Sequence, residues 1–322
     1  VKAARQQTLW TNKYFVAAMA VVACILWGSA FPVLKVTYQE LQLTGNDTAS
    51  RLVIAGMRFF LAAVMLFLFL KVGLGQSLRV DRGWLLPLFW LGLAQTGFQY
   101  FFFYNGLAHT AGIKGAILNS IGNFFVVLLA HFVYQNDRLN FGKVLGLATG
   151  FAGIILINWS PGTTGFDWHM SLRGEGFLIL SGLASAIGTF QAKKLSGSLN
   201  PVLINAYQLF FGSLVLLVTG MPGVVQQGLE PTPLFTGLLV YSAFLSAAAF
   251  SIWYTLLKYN KAGEVTLYRF VIPIAGAVLS AIFIPGERLT PLTVVALVLV
   301  AFGIGSVNYW QRARSKAVPQ TE

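Results

Sequence analysis

Residues 14–34 read YFVAAMAVVACILWGSAFPVL, a stretch with no Asp, Glu, Lys or Arg. A helix rises about 1.5 Å per residue, so about 20 apolar residues cross the hydrocarbon core of a bilayer. This stretch is therefore read as a membrane helix. It is too long for a signal-peptide core and no clear cleavage context follows it, so it is expected to be retained. The same criterion, applied along the chain, selects 51–70 (interrupted by Arg58), 84–107, 112–134, 141–158, 174–193, 201–220, 234–257, 265–284 and 290–310. Ten spans leave no segment long enough for a soluble domain.

Composition agrees. Of 322 residues, 56% are apolar, 14% aromatic and 10% charged, and mean hydropathy is +0.70. Soluble domains carry about 25% charged residues. An ordinary cytosolic enzyme, a disordered chain and a nucleic-acid binder are excluded. The single cysteine, Cys24, excludes an intrachain disulfide and a cysteine-rich metal site.

The net charge of +12 reads as a topology signal rather than a nucleic-acid footprint. With the N-terminus in the cytoplasm, the inner segments hold fifteen Lys and Arg, from Lys2 to Lys316, and the outer loops hold three: Arg51, Arg173 and Arg288. Both termini are expected inside, and an even number of spans agrees.

The two halves align with each other. WGSAFPVLK (27–35) falls on AIGTFQAKK (186–194), and GMRFFLAA (56–63) on AYQLFFGS (206–213), which sets Arg58 against Gln208. Ala111-Gly112 meets Ala262-Gly263, and NDRLN (136–140) meets GERLT (286–290). Five spans per unit is odd, so the second unit enters the membrane from the opposite side. The expected fold is all-α and integral to the membrane: ten transmembrane helices as two inverted five-helix repeats. The first repeat is 14–158 and the second 174–310. An extracytoplasmic loop (159–173) joins them, and cytoplasmic tails flank them (1–13 and 311–322). Such repeats place a solute site near the midplane, between the halves.

The stretches WGSAFPVLK, MRFFLAA and GERLT, taken with this architecture, resemble EamA-type members of the drug/metabolite transporter superfamily. The resemblance covers about 14 to 310. It implies a cavity lined mainly by spans 1, 3, 4, 6, 8 and 9, and transport of amino acids, sugars, nucleotides or other small metabolites. There are two departures. The first-half turn reads QNDRLN rather than the GER pattern, and Asn123 stands opposite Pro273, where the resemblance leads one to expect proline.

Polar groups within lipid are costly and mark function or structural pairing. Arg269 lies near the start of span 9, one turn before Pro273, whose missing N–H frees a carbonyl there. It either anchors an acid group or snorkels to the interface. Arg58 reads as mainly structural, and Lys114 as interfacial. Asn119 and Asn123, one turn apart, either bind substrate or bridge helices. In span 3 (LAQTGFQYFFFYNG), Gln95 and Gln99 share a face, with Tyr100 and Tyr104 on an adjoining one. Span 8 offers Trp253 and Tyr254. Aromatic walls with a few amides describe a small-molecule pocket, although Tyr104 and Trp253 also suit an interfacial belt. Trp27 and Gln191 are weaker candidates. Gly142, Gly146 and Gly150 read as a helix-packing face, within the monomer or between the subunits of a homodimer.

No Asp or Glu lies inside any span, which argues against an exporter of organic cations. It favours a zwitterionic, anionic or neutral solute. The three histidines form no acid/base set: His131 and Asp137 miss the H-x4-D spacing of membrane acyltransferases. No Walker loop is present. The expected function is export of a small zwitterionic or anionic metabolite from a bacterial inner membrane, without cofactor, metal or nucleic acid. A low-specificity exporter of aromatic compounds is the second reading.

Overall fold

The computed structural model describes residues 2–44, 47–109, 118, 120–157, 171–227, 231–286, 288–289 and 291–317. Those residues are helices and their connections, with no strand among them. Helix α1 (Lys2–Thr11) occupies the predicted N-terminal tail and leads into α2 (Lys13–Glu40). The Asn12 side chain starts α2 by accepting the N–H groups of Tyr14 (3.0 Å) and Phe15 (3.3 Å), which satisfies two donors that a helix start leaves bare. Then come α3 (Thr48–Leu68, extended by a π turn to Gly73), α4 (Arg82–Gly92), a π segment (Leu93–Phe98) and α5 (Gln99–Ala108). Helices α6 (Ile121–Val133) and α7 (Phe141–Ile157) complete the first half.

The second half opens with a π turn (Leu172–Gly176) and α8 (Phe177–Ser196), followed by α9 (Pro201–Gln227) and α10 (Pro233–Tyr259). A short α11 (Ala262–Val265) passes through a 3-10 turn (Thr266–Phe270) into α12 (Val271–Phe283), and α13 (Pro291–Ala317) ends the chain. Pro273 has no N–H to offer the carbonyl one turn earlier. The backbone tightens to 3-10 geometry at that place, and Arg269 sits in the tightened turn.

Five of these helical segments are long and apolar enough to cross a membrane: 13–40, 48–73, 201–225, 233–259 and 262–283. Shorter apolar helices occupy 121–133, 141–156 and 294–306. The predicted span 84–107 is a helical run with a π break in its middle, and the predicted 290–310 belongs to a helix that continues to Ala317. The outward face is bare hydrocarbon: Leu86, Phe132, Val218, Phe244 and Val298 are all more than half exposed. In water such a skin would drive association. Against acyl chains it is well solvated.

Helix α3 lies along α9, and α7 lies along α13. Helix α2 packs against α10 and α12, and α8 packs against α5 and α6. Small residues permit these crossings. A Cβ built on Gly28 of α2 would stand 2.6 Å from the Ala275 Cβ of α12. One on Gly182 of α8 would stand 2.9 Å from the Gly122 N of α6. Of the predicted glycine face on α7, Gly146 meets Gly303 of α13, while Gly150 faces the Phe270 ring.

At one end of the bundle, Asp137 and Lys143 form a buried ion pair, each 1% exposed at the side chain. The other Asp137 oxygen accepts the Gly263 N–H at 2.9 Å, tying the end of α6 to α11. Nearby, the Lys193 ammonium donates to the carbonyls of Leu257 (3.0 Å) and Asn260 (2.5 Å) at the end of α10. A cation there also suits the negative end of the helix dipole.

Candidate substrate cavity

A cavity of about 660 Å³ lies between α2, α3, α5, α6, α7, α8, α10 and α12. That volume falls within the range of small-molecule sites, about 300–1,000 Å³. Trp27, Phe31, Tyr100, Phe103, Tyr104 and Phe250 supply aromatic wall. Gln99 and Asn123 supply amides, and Ser120, Ser181, Ser185 and Ser280 supply hydroxyls. Lys35, Arg51, Arg58 and Arg269 also line it, and among the described residues no Asp or Glu does.

Arg269 is half-buried at the deep end. Its Nη1 donates to the Ser185 hydroxyl at 3.3 Å. Its guanidinium lies 5.8 Å from the Trp27 ring centre and 5.9 Å from that of Trp253. The 3-10 turn therefore aims Arg269 into the bundle, not toward an interface. Arg58 is 3% exposed. Its Nε donates to the Ser246 hydroxyl of α10 at 2.7 Å, and its guanidinium lies 4.9 Å from the Phe59 ring. It is thus both a strut between α3 and α10 and a lining cation.

At the shallow end, Arg51 donates to the Thr44 carbonyl at 2.9 Å and lies 5.0 Å over the Tyr38 ring. In the loop beside it, the Thr44 N–H and hydroxyl both reach an Asp47 oxygen, at 2.6 and 2.8 Å. Those two bonds hold the Asp47 carboxyl below the usual carboxylate range.

Of the residues singled out in the sequence, Trp27, Gln99, Tyr104, Asn123, Arg58, Arg269 and Pro273 line the cavity. Gln95, Gln191, Trp253 and Tyr254 are not lining residues. They lie one or two turns beyond the deepest lining positions of their own helical runs: Gln99, Ser185 and Phe250. Gln95 donates to the Gln99 Oε1 at 2.9 Å. Trp253 meets the Trp27 ring at 5.3 Å, and Tyr254 meets Phe250 at 6.0 Å. Trp253 and Tyr104, 2% and 4% exposed, are inside the protein and form no interfacial belt. Asn119 and Lys114 lie outside the described residues. Tyr38, Arg51, Ser181, Ser185 and Phe250 are lining residues that the sequence did not single out. Ser181 and Ser185 flank Gly182 at one-turn spacing, which was the available signal.

Among the described residues, no group of three or more His, Cys, Asp or Glu is placed to hold a metal ion. Fold and cavity define a helical, membrane-type protein enclosing a solute-sized hollow. The chain belongs to the EamA-like transporter family, which it matches twice, over residues 15–159 and 172–309. It is 27% identical over 304 residues to the uncharacterized transporter YvbV of Bacillus subtilis (strain 168), covering 91% of each chain. It is 24% identical to the uncharacterized inner membrane transporter YedA of Escherichia coli (strain K12), covering 87% of this chain and 86% of that one. A crystal structure of a protein 14% identical superposes with a TM-score of 0.75, covering 94% of this chain and 99% of the other. That likeness shows the fold. Family and relatives point to a membrane transporter rather than an enzyme.

Proposed function

We propose that the chain is a ten-helix secondary transporter of two inverted five-helix repeats. It exports a small zwitterionic or anionic metabolite, an amino acid or similar, by alternating access. It sits in a bacterial inner membrane with both termini cytoplasmic, as monomer or homodimer. The observation that carries this reading is the cavity: solute-sized, aromatic-walled, floored by Arg269 and, among the described residues, lined by no acid. The double family match supports the repeat. So does the packing, since exchanging the halves turns the α2 contacts with α10 and α12 into the α8 contacts with α5 and α6.

In this reading the rings enclose the apolar part of the solute, Gln99 and Asn123 hydrogen-bond it, and Arg269 pairs with its acid group. The positive-inside orientation puts the Asp137–Lys143 end in the cytoplasm, so the cavity faces outward. The second reading is a low-specificity exporter of aromatic compounds, favoured by the seven lining aromatic side chains, Tyr38 among them. Arg269→Ala separates the two in proteoliposome transport assays. An anchored acid loses most of its flux, whereas a neutral aromatic solute keeps it. Unchanged flux of the acidic solute removes Arg269 from the site and overturns the first reading.

A further inference from the structure

The reading above leaves two substrate charges open, and the pattern of unmatched groups chooses between them. Among the described residues, neither Arg269 nor Arg58 makes an ion pair. Arg269 has one serine hydroxyl and two ring faces, and Arg58 has one serine hydroxyl and one ring face. The Trp27 indole N–H, on a lining side chain that is 8% exposed, is buried without a hydrogen-bond partner. An indole nitrogen can only donate. A guanidinium likewise has five donors and no acceptor.

Among the described residues, the deep end thus presents two guanidinium groups and an unpartnered indole N–H to the cavity, with no carboxylate to balance their charge. A substrate ammonium fares differently. Among the described residues, no lining carboxylate receives it. The Gln99 Oε1 already accepts from Gln95, and the Trp27 face already carries Arg269, so neither is left to an ammonium alone. An ammonium would also lie among fixed charges of its own sign.

We infer that the transported solute is a net organic anion: an apolar, ring-sized body bearing a carboxylate and no ammonium. Its oxygens accept from Arg269 and from the Trp27 N–H. This rests on the transporter reading and narrows it from zwitterion-or-anion to anion.

Three probes share one ring and differ in charge: phenylpyruvate (anion), phenylalanine (zwitterion) and phenethylamine (cation). Each is titrated onto the purified full chain, and binding is read as a thermal shift and by equilibrium dialysis. A ligand that binds only the folded state raises its melting temperature. Phenylpyruvate is expected to bind about tenfold tighter than phenylalanine, a difference of one decade in Kd, and phenethylamine not at all. Trp27→Phe, which keeps a ring and removes the N–H, weakens phenylpyruvate several-fold. Arg269→Gln erases the preference, while Arg269→Lys, the control for folding, keeps part of it.

If phenylalanine binds as tightly as phenylpyruvate and both need Arg269, the anion inference falls and the transporter reading stands. If the amine binds best, or Arg269→Gln changes nothing, both fall. If none of the three binds at millimolar concentration, the inference falls.

Discussion

The indole of Trp253 meets that of Trp27 at 5.3 Å with the rings inclined by 62°, and the Arg269 guanidinium lies within 6 Å of both. Three helical segments, α10, α2 and the turn before α12, converge in that contact. Trp27 and Arg269 line the floor of the cavity and Trp253 backs them from beneath, so the site's central cation is held by ring faces where an acid would ordinarily be found.

That arrangement makes Trp253 a positioning residue. Trp253→Ala removes one of the two faces on Arg269. A cation–π contact contributes about 0.5–2 kcal/mol, more when desolvated. Affinity for an acidic solute is expected to fall about five- to tenfold, since 1.4 kcal/mol is a decade. Trp253→Phe retains a face and loses less. Equilibrium binding on purified protein decides it; equal losses in the two variants would mean that the ring face does nothing for Arg269.

The crossing of α6 and α8 is limited by backbone. A Cβ on Gly182 meets the Gly122 N at 2.9 Å, and one on Gly122 meets the Gly182 Cα at 3.1 Å. Neither atom can step aside as a side chain can. Gly182→Val is therefore expected to destabilise the protein by about 1–3 kcal/mol, the usual range for overpacking. Gly237→Ala is the control: it lies within α10 with nothing inside 4 Å, and alanine is the better helix former. Melting in detergent should fall for the first variant and hold or rise for the second.

Hydrophobic length was the clearest message in the chain. The stretch 14–34 lies within α2, and Asn12 and Thr232 mark helix starts by ordinary capping chemistry. Site depth was less legible. Periodicity says which face of a helix turns inward but not how far along it a cavity runs. Gln95, Gln191, Trp253 and Tyr254 illustrate this, because each falls past the floor. Arg51 was counted among loop charges and Tyr38 sits near a helix end, so neither carried the signal of an ion inside a span. Ser185 was hidden by being small. Its role appears only when a 3-10 turn 84 residues later delivers Arg269 to it.

The ion pair between Asp137 and Lys143 is buried and also holds the Gly263 N–H. Lys143→Met leaves a carboxylate in the interior with one backbone donor. Losing one partner of a buried pair costs about 3–5 kcal/mol, whereas replacing both by apolar groups is often neutral. Lys143→Met is thus expected to melt well below wild type, and Asp137→Leu with Lys143→Met to recover most of the difference. A double-mutant cycle in detergent measures the coupling. Additive losses would show that the pair contributes no more than its two parts.

Arg58 carries two roles that one substitution can separate. The repeat alignment sets it against Gln208, whose Oε1 accepts from the Thr96 hydroxyl at 2.8 Å and whose Nε2 donates to Asn205 at 3.1 Å. The aligned position is thus a neutral amide, 0% exposed and bonded through both its oxygen and its nitrogen. Arg58→Gln retains an amide donor facing the Ser246 hydroxyl and removes a cation from the cavity. Stability is expected to change by about 1 kcal/mol, the scale of one hydrogen bond. Binding of an anionic probe is expected to weaken by about a decade, on the scale of a hydrogen bond to a charged group. If Arg58→Gln melts far below wild type yet binds the anion unchanged, Arg58 is a strut between α3 and α10 with no part in recognition. The reverse outcome, full stability with weakened binding, assigns its charge to the solute.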